Sequence, residues 1–249
     1  GILGLGNIAH KFAQDLLLAG AKLKAVASRD LEKAMHFANQ YQSDRYYSSY
    51  QELADDPEVD VVYIATPHVF HYEHTMMCLG AGKSVLCEKA FGMNAQEVEE
   101  MIAEAQKRKL LLMEALWTRF IPMTEKLIEL VQHNAIGELK QLRADFGFVG
   151  DKNPERRIFK KELGGGSLLD VGIYPVYLSL LLLGPPEKIL AMAEISEGQV
   201  DRFCAALFHY TNGAKAILES SIEVATPVEA YIYGASGSIK LHKNFHHSE

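Results

Sequence analysis

The stretch GILGLGNIAHKF, residues 1–12, sets an apolar run against a glycine pair and then opens an amphipathic segment. Ile2 to Leu5 reads as a strand and residues 7–19 as a helix. Between them Gly4, Gly6 and Ala9 fit the pattern G-x-G-x-x-[GA]. The first glycine permits a tight turn, and the second leaves no side chain in the way of a pyrophosphate. The small third residue lets helix and strand pack closely. Asn7 and Ile8 begin the helix, whose free N–H groups and partial positive charge favour phosphate. All five positions are therefore candidate cofactor contacts. A parallel core strand usually runs to about five residues, so the clipped first strand suggests a natural chain that begins a few residues earlier.

Working outward, the pattern repeats. LKAVAS reads as the next strand, Asp30 starts a helix to about Tyr41, RYY is a short strand, and SSYQELADD is a short helix. VDVVYIAT is a continuous apolar run, the mark of a strand buried on both faces. A helix over 69–81, the strand SVLCEK, a helix from Asn94 and the strand LLLMEAL follow. This alternation predicts a doubly wound parallel sheet. After Trp117 the grammar changes. One helix spans about 123–133, KQLRADFGFV alternates like a half-wet strand, and DKNPERRIFKKELGGGS reads as a loop. A buried helix at 174–183 follows, then strand-like segments at 188–195, 201–210, 213–223 and 228–233. Thr211-Asn212-Gly213 reads as a hairpin turn. The second half is thus α+β with a mostly antiparallel sheet, and the boundary falls near residue 117.

The composition narrows the function. The chain has 249 residues, 48% of them hydrophobic, and a net charge of −7, so no global field draws nucleic acid or an anionic membrane. Cys78, Cys87 and Cys204 stand apart in apolar stretches, as buried reduced thiols do, which fits the cytoplasm. LLDVGIYPVYLSLLLLG contains Asp170, Gly172 and Pro175 and reads as a core helix rather than a membrane span.

Several residues carry the chemistry of a dinucleotide enzyme. An acid at the tip of the second strand would select NAD through the ribose, whereas a hydroxyl and a guanidinium would hold the 2′-phosphate of NADP. Ser28 and Arg29 favour NADP. Asp30 reads either as the acid that selects NAD or as the cap of the next helix. Hydride transfer to or from an alcohol also moves a proton. Lys89, at a strand end in Cys87-Glu88-Lys89-Ala90, can hydrogen-bond a substrate oxygen. Tyr174 can exchange the proton, and Asp170, at i−4, either orients these groups or caps a helix. Thr66, Pro67, His68, His71 and Glu88 are candidate cofactor contacts at strand ends. The spacing of His68, His71 and His74 matches no recognised metal set, and no metal is expected. Arg156 and Arg157 read as a solvated pair, with contact to a substrate phosphate as the alternative, and HKNFHHSE reads as a loose tail.

Together, GLGNIA, Ala65-Thr66-Pro67 with His71, CEKA at 87–90, EALWTRF at 114–120 and GGGSLLDVGIY at 164–174 resemble the Gfo/Idh/MocA oxidoreductase family. The last two resemble its dihydrodiol dehydrogenase and glucose–fructose oxidoreductase branch. The resemblance implies a Rossmann domain over residues 1–117. It also implies an α+β domain over 118–249 that binds substrate and forms a homodimer through an open sheet. It assigns the chemistry to Lys89 and Tyr174, converging on one face of a nicotinamide, and places Trp117 and Arg119 beside that ring. The implied reaction is NADP-dependent hydride transfer with a sugar, polyol or trans-dihydrodiol. The rivals are an NAD-dependent inositol-type dehydrogenase and a non-catalytic dinucleotide sensor. Ala90 replaces the family proline, and the chain stops earlier than family members usually do, so the sequence reads as partial at both ends.

Overall fold

The structure is a computed structural model that describes residues 1–150, 153 and 155–247. Asp151, Lys152 and Pro154 of the expected loop, and Ser248 and Glu249 of the expected tail, lie outside them. The chain divides into two compact units, Gly1–Ala115 and Leu116–Glu249.

The first unit alternates strand and helix in chain order. It runs β1 (Ile2–Leu3), α1 (Asn7–Leu18), β2 (Ala25–Ala27), α2 (Leu31–Tyr41), β3 (Arg45–Tyr47), α3 (Tyr50–Asp55), β4 (Val61–Ile64), α4 (His71–Gly80), β5 (Ser84–Glu88), α5 (Ala95–Arg108) and β6 (Leu112–Ala115). The strands form one sheet in the order β3-β2-β1-β4-β5-β6, and every pair is parallel. Helices cover both faces, so the strands read as unbroken apolar runs, and two cores result. One gathers Leu3, Ala27, Ile64 and Val85; the other gathers Ile2, Val26, Phe37 and Tyr63. The strand order reverses between β1 and β4, the switch point where such folds hold ligands at the carboxyl ends of the strands. Asp30 and Asn94 start α2 and α5 by accepting the amides of Lys33 at 3.1 Å and Glu97 at 2.9 Å.

The second unit holds α6 (Pro122–Gln132), β7 (Leu139–Gly147), α7 (Ile173–Leu183), β8 (Lys188–Ile195), β9 (Asp201–His209), β10 (Lys215–Ser221), β11 (Ala230–Gly234) and β12 (Ser238–Leu241). Its sheet runs β12-β11-β7-β10-β9-β8, antiparallel except for the pair β7–β10. The turn at Thr211-Asn212-Gly213 does join β9 to β10, with the Gly213 amide on the Tyr210 carbonyl at 2.9 Å. β12 was not expected from the sequence. The stretch Lys161–Leu183 is long and apolar enough to cross a membrane by composition alone. Here Tyr174 and Leu178 are buried in one core with Leu142, Phe208, Ala216 and Ile232 from the sheet. The opposite face shows a cross-strand row, Leu190–Leu207–Ile217–Arg143–Tyr231, fixed by the pairing register.

Candidate active site

In the first unit the glycine turn lies at the switch point. Gly4 has φ +87°, and a Cβ there would sit 2.7 Å from Thr66 Cγ2 and 3.0 Å from the Ala65 carbonyl. Only glycine fits such a backbone beside so close a neighbour. Gly6 is different. It is the N-cap of α1 with φ −82°, and a Cβ there would meet nothing within 4 Å. The fold itself does not require a glycine at that point; the space it leaves is open to something outside the chain. Gly6 and Asn7 are exposed, Ile8 is half-buried and Ala9 is buried. The first turn of α1 carries no acidic residue. A pyrophosphate fits this cradle on both steric and electrostatic grounds.

At the tip of β2, the Asp30 carboxylate is engaged as the cap of α2, and the Ser28 hydroxyl accepts the Asp30 amide at 3.2 Å. The Arg29 guanidinium lies against the Tyr50 hydroxyl, whose pKa is raised by burial and held back in part by that cation. A cation and a hydroxyl thus stand at this tip, with the acid turned to another task.

At the ends of β4 and β5, Pro67 is half-buried and leads into a tight turn at His68–Phe70. The Thr66 hydroxyl pairs with His74 Nδ1 at 3.0 Å. Burial lowers the pKa of His74 to about 4. His71 was expected to touch cofactor or substrate, but it is 0% exposed. Its Nδ1 lies 2.7 Å from the Ala90 carbonyl and its Nε2 2.8 Å from the Thr66 carbonyl. It has no surface left for a ligand, and that expectation is corrected. His68 is also buried, with its ring 5.6 Å from that of His71. Among the described residues no group of His, Cys, Asp or Glu could hold a metal ion.

Lys89 is half-buried, and its peptide bond to Ala90 is cis. Its amide donates to Glu88 Oε2 at 3.2 Å, while Tyr63 donates its hydroxyl to Glu88 Oε1. Burial raises the Glu88 pKa, opposed by the Tyr63 hydrogen bond and the Lys89 charge. Glu114, on β6, accepts the Phe91 amide at 3.1 Å, and burial raises its pKa as well. Tyr63 and Glu114 went unassigned in the sequence reading. Their one signal was polar chemistry inside runs that otherwise read as buried strand.

In the second unit Tyr174 and Pro175 fall in the first turn of α7, where proline is tolerated. A π-helical turn at Leu168–Gly172 precedes it, so Asp170 lies within that turn and does not cap the helix. Its carboxylate instead accepts the Arg157 guanidinium at 2.7 Å. That pair also removes Arg157 from the solvated role expected of it. The turn is held by Asp201 Oδ2, which takes the Ser167 hydroxyl at 2.6 Å and the Leu168 amide at 2.7 Å. Gly166 has φ +113°, and a Cβ there would lie 2.1 Å from Asp201 Oδ1.

Tyr174 is buried, with its ring 5.6 Å from Phe146 and 4.9 Å from His246. Phe245 and His246 are buried too, and Thr118 donates its hydroxyl to the His246 carbonyl at 2.7 Å. Of the loose tail expected here, His242 and Lys243 are exposed, but Phe245 and His246 are packed, with the His246 ring against Tyr174 at the start of α7. Trp117 is half-buried with its ring 6.4 Å from His247, and Arg119 is exposed.

A parallel sheet in the 3-2-1-4-5-6 order with this phosphate cradle defines a dinucleotide-binding Rossmann domain. Two family models match the chain. "Oxidoreductase family, NAD-binding Rossmann fold" covers residues 1–116, and "GFO/IDH/MocA C-terminal domain" covers residues 124–240. The chain belongs to the Gfo/Idh/MocA oxidoreductase family. Curated relatives include trans-1,2-dihydrobenzene-1,2-diol dehydrogenases. That of Xenopus tropicalis is 40% identical over 97% of this chain and 74% of its own length. That of Mus musculus is 41% identical over 98% of this chain and 74% of its own length. Among solved structures, a 3-ketoreductase from Actinomadura kijaniata in complex with NADP and TDP-benzene superposes with a TM-score of 0.91. It is 28% identical, over 98% of this chain and 76% of that one. An aldose-aldose oxidoreductase from Caulobacter crescentus, complexed with glycerol, gives a TM-score of 0.90 at 29% identity, over 97% of this chain and 76% of that one.

Proposed function

We propose that this chain is an NADP-dependent oxidoreductase acting on a hydroxyl or carbonyl carbon of a sugar, polyol or trans-dihydrodiol. The observation that carries the coenzyme choice is the tip of β2. Asp30 spends its carboxylate on the Lys33 amide, while Ser28 and Arg29 offer a hydroxyl and a guanidinium. That pairing suits a phosphate on the ribose rather than a free 2′-hydroxyl. Gly6, Asn7 and Ile8 would hold the pyrophosphate, with Gly4 and Ala9 shaping the turn beneath it and Thr66, Pro67 and His68 at the neighbouring strand end. The names of the relatives, a dihydrodiol dehydrogenase, a 3-ketoreductase and an aldose-aldose oxidoreductase, support the substrate class.

When bound, the nicotinamide supplies or accepts the hydride. The protein handles the accompanying proton. In reduction Tyr174 donates its hydroxyl proton to the carbonyl oxygen as that oxygen becomes an alcohol; in oxidation the phenolate takes the proton back. Burial of Tyr174 keeps water out of this exchange. Lys89, at the end of β5, supplies an ammonium that can hydrogen-bond a substrate oxygen and stabilise negative charge developing on it. Asp170, fixed by Arg157, holds the turn from which Tyr174 projects. Glu88 anchors the main chain of Lys89, and Trp117 and Arg119 shape the substrate side. The three buried thiols suit a reducing cytoplasm, and the outer sheet face of the second unit suits a homodimer.

The test is coenzyme titration by fluorescence followed by initial rates. The panel is aldoses, ketoses and diketones with NADPH, and trans-dihydrodiols with NADP+. Tighter NADPH than NADH binding and turnover on at least one substrate class are expected. Binding without turnover on any of them would instead favour a sensor.

A further inference from the structure

We infer that His71 is a doubly protonated imidazolium that positions the loop carrying Lys89. The inference rests on the role proposed for Lys89 above, and it deepens that reading.

The argument is a count of donors. His71 is fully buried, and both ring nitrogens lie within hydrogen-bond distance of backbone carbonyls, Ala90 at 2.7 Å and Thr66 at 2.8 Å. A carbonyl oxygen only accepts. A neutral imidazole donates from one nitrogen and accepts at the other. A neutral His71 would therefore press a nitrogen lone pair against an oxygen lone pair, in a place where no solvent can intervene. The imidazolium donates at both nitrogens, and such charge-assisted bonds are short, as these are.

The surroundings are mixed in charge. His68 faces the ring from the turn before α4, and His74 lies one helical turn further on. Lys89 and Glu88 end β5, and Glu114 stands on β6. His74 is kept neutral mainly by burial, and the positive charge on His71 adds to that effect.

The two carbonyls that His71 joins are not arbitrary. Thr66 follows β4, where the coenzyme site is proposed, and Ala90 directly follows Lys89. Three side chains thus grip three successive residues of the loop. Glu88 holds the Lys89 amide, His71 the Ala90 carbonyl, and Glu114 the Phe91 amide. His71 is the member that ties this loop to the β4 tip. Its role is positioning, because its ring is fully buried and both of its nitrogens face main-chain carbonyls.

The test begins with the wild-type enzyme labelled with 15N at histidine. Both ring nitrogens of His71 are expected to carry protons at neutral pH and to give two signals of the protonated type. One protonated and one bare nitrogen would overturn the charge assignment. The variant His71→Gln donates from its amide nitrogen but turns a carbonyl to the second acceptor. Its kcat is expected to fall about 10- to 100-fold, the cost of misplacing a reacting group by roughly an ångström. Substrate KM and NADPH affinity should stay within about two-fold. A wild-type kcat in His71→Gln would overturn the positioning role. If that variant does not fold, the wild-type spectrum still decides. Lys89→Ala separates the two readings. Full turnover in Lys89→Ala removes the lysine from the chemistry and leaves the His71 spectrum as it stands.

Discussion

Single side chains at the strand ends set the coenzyme site and its response to pH. Arg29 is the cation offered to a 2′-phosphate, so Arg29→Ala should weaken NADPH binding about 10- to 100-fold, the worth of a hydrogen bond to a charged group. NADH binding should be unchanged, and fluorescence titration of both coenzymes checks the contrast. His74 makes a second prediction. Its pKa falls from 6.5 in the unfolded chain to about 4 in the fold, because it is buried. Between those values the unfolded chain binds a proton that the folded one refuses. Stability is therefore lost as the pH drops through that window, by about 3 kcal/mol, and the loss levels off below it. His74→Gln removes this contribution. Thermal melts from pH 7 to pH 4 should show a shallower fall in Tm for the variant than for the wild type.

Among the elements, the β1–α1 turn separates folding from binding. Gly4→Ala forces a side chain onto a left-handed backbone and into Thr66, so it should cost at least about 1–2 kcal/mol of stability. Gly6→Ala meets no protein atom, so its Tm should hold while NADPH binding collapses. Denaturation and coenzyme titration on the two variants read these opposite outcomes. This turn was legible in sequence because two glycines, a small residue and a flanking apolar run have few other uses together. The alternation of strands and helices was equally clear, since strands buried on both faces must be apolar throughout. β12 was not, because Ser238–Leu241 buries little beyond Leu241. The packing of Phe245 and His246 onto Tyr174 was hidden for a different reason. A polar, histidine-rich tail looks solvated until the partner that covers it is known. The double clamp at His71 was invisible too, since both of its partners are backbone groups and leave no mark on the sequence.

At the scale of the whole molecule, the second unit pairs a packed sheet face with an outer face that carries an exposed apolar row. Leu190 and Met192 on β8 are 56% and 65% exposed, and Leu207 and Ile217 extend the row across the sheet. If this face joins two copies, Met192→Glu together with Leu207→Glu should convert a dimer into a monomer. Light scattering behind a sizing column measures that change. The central claim is that a buried phenol on α7 exchanges the proton that accompanies hydride transfer. The most direct measurement is steady-state turnover of Tyr174→Phe on the best substrate, beside its NADPH dissociation constant. A fall in kcat of about 100- to 10,000-fold with NADPH affinity intact is the predicted result. Wild-type turnover with intact NADPH affinity would contradict it.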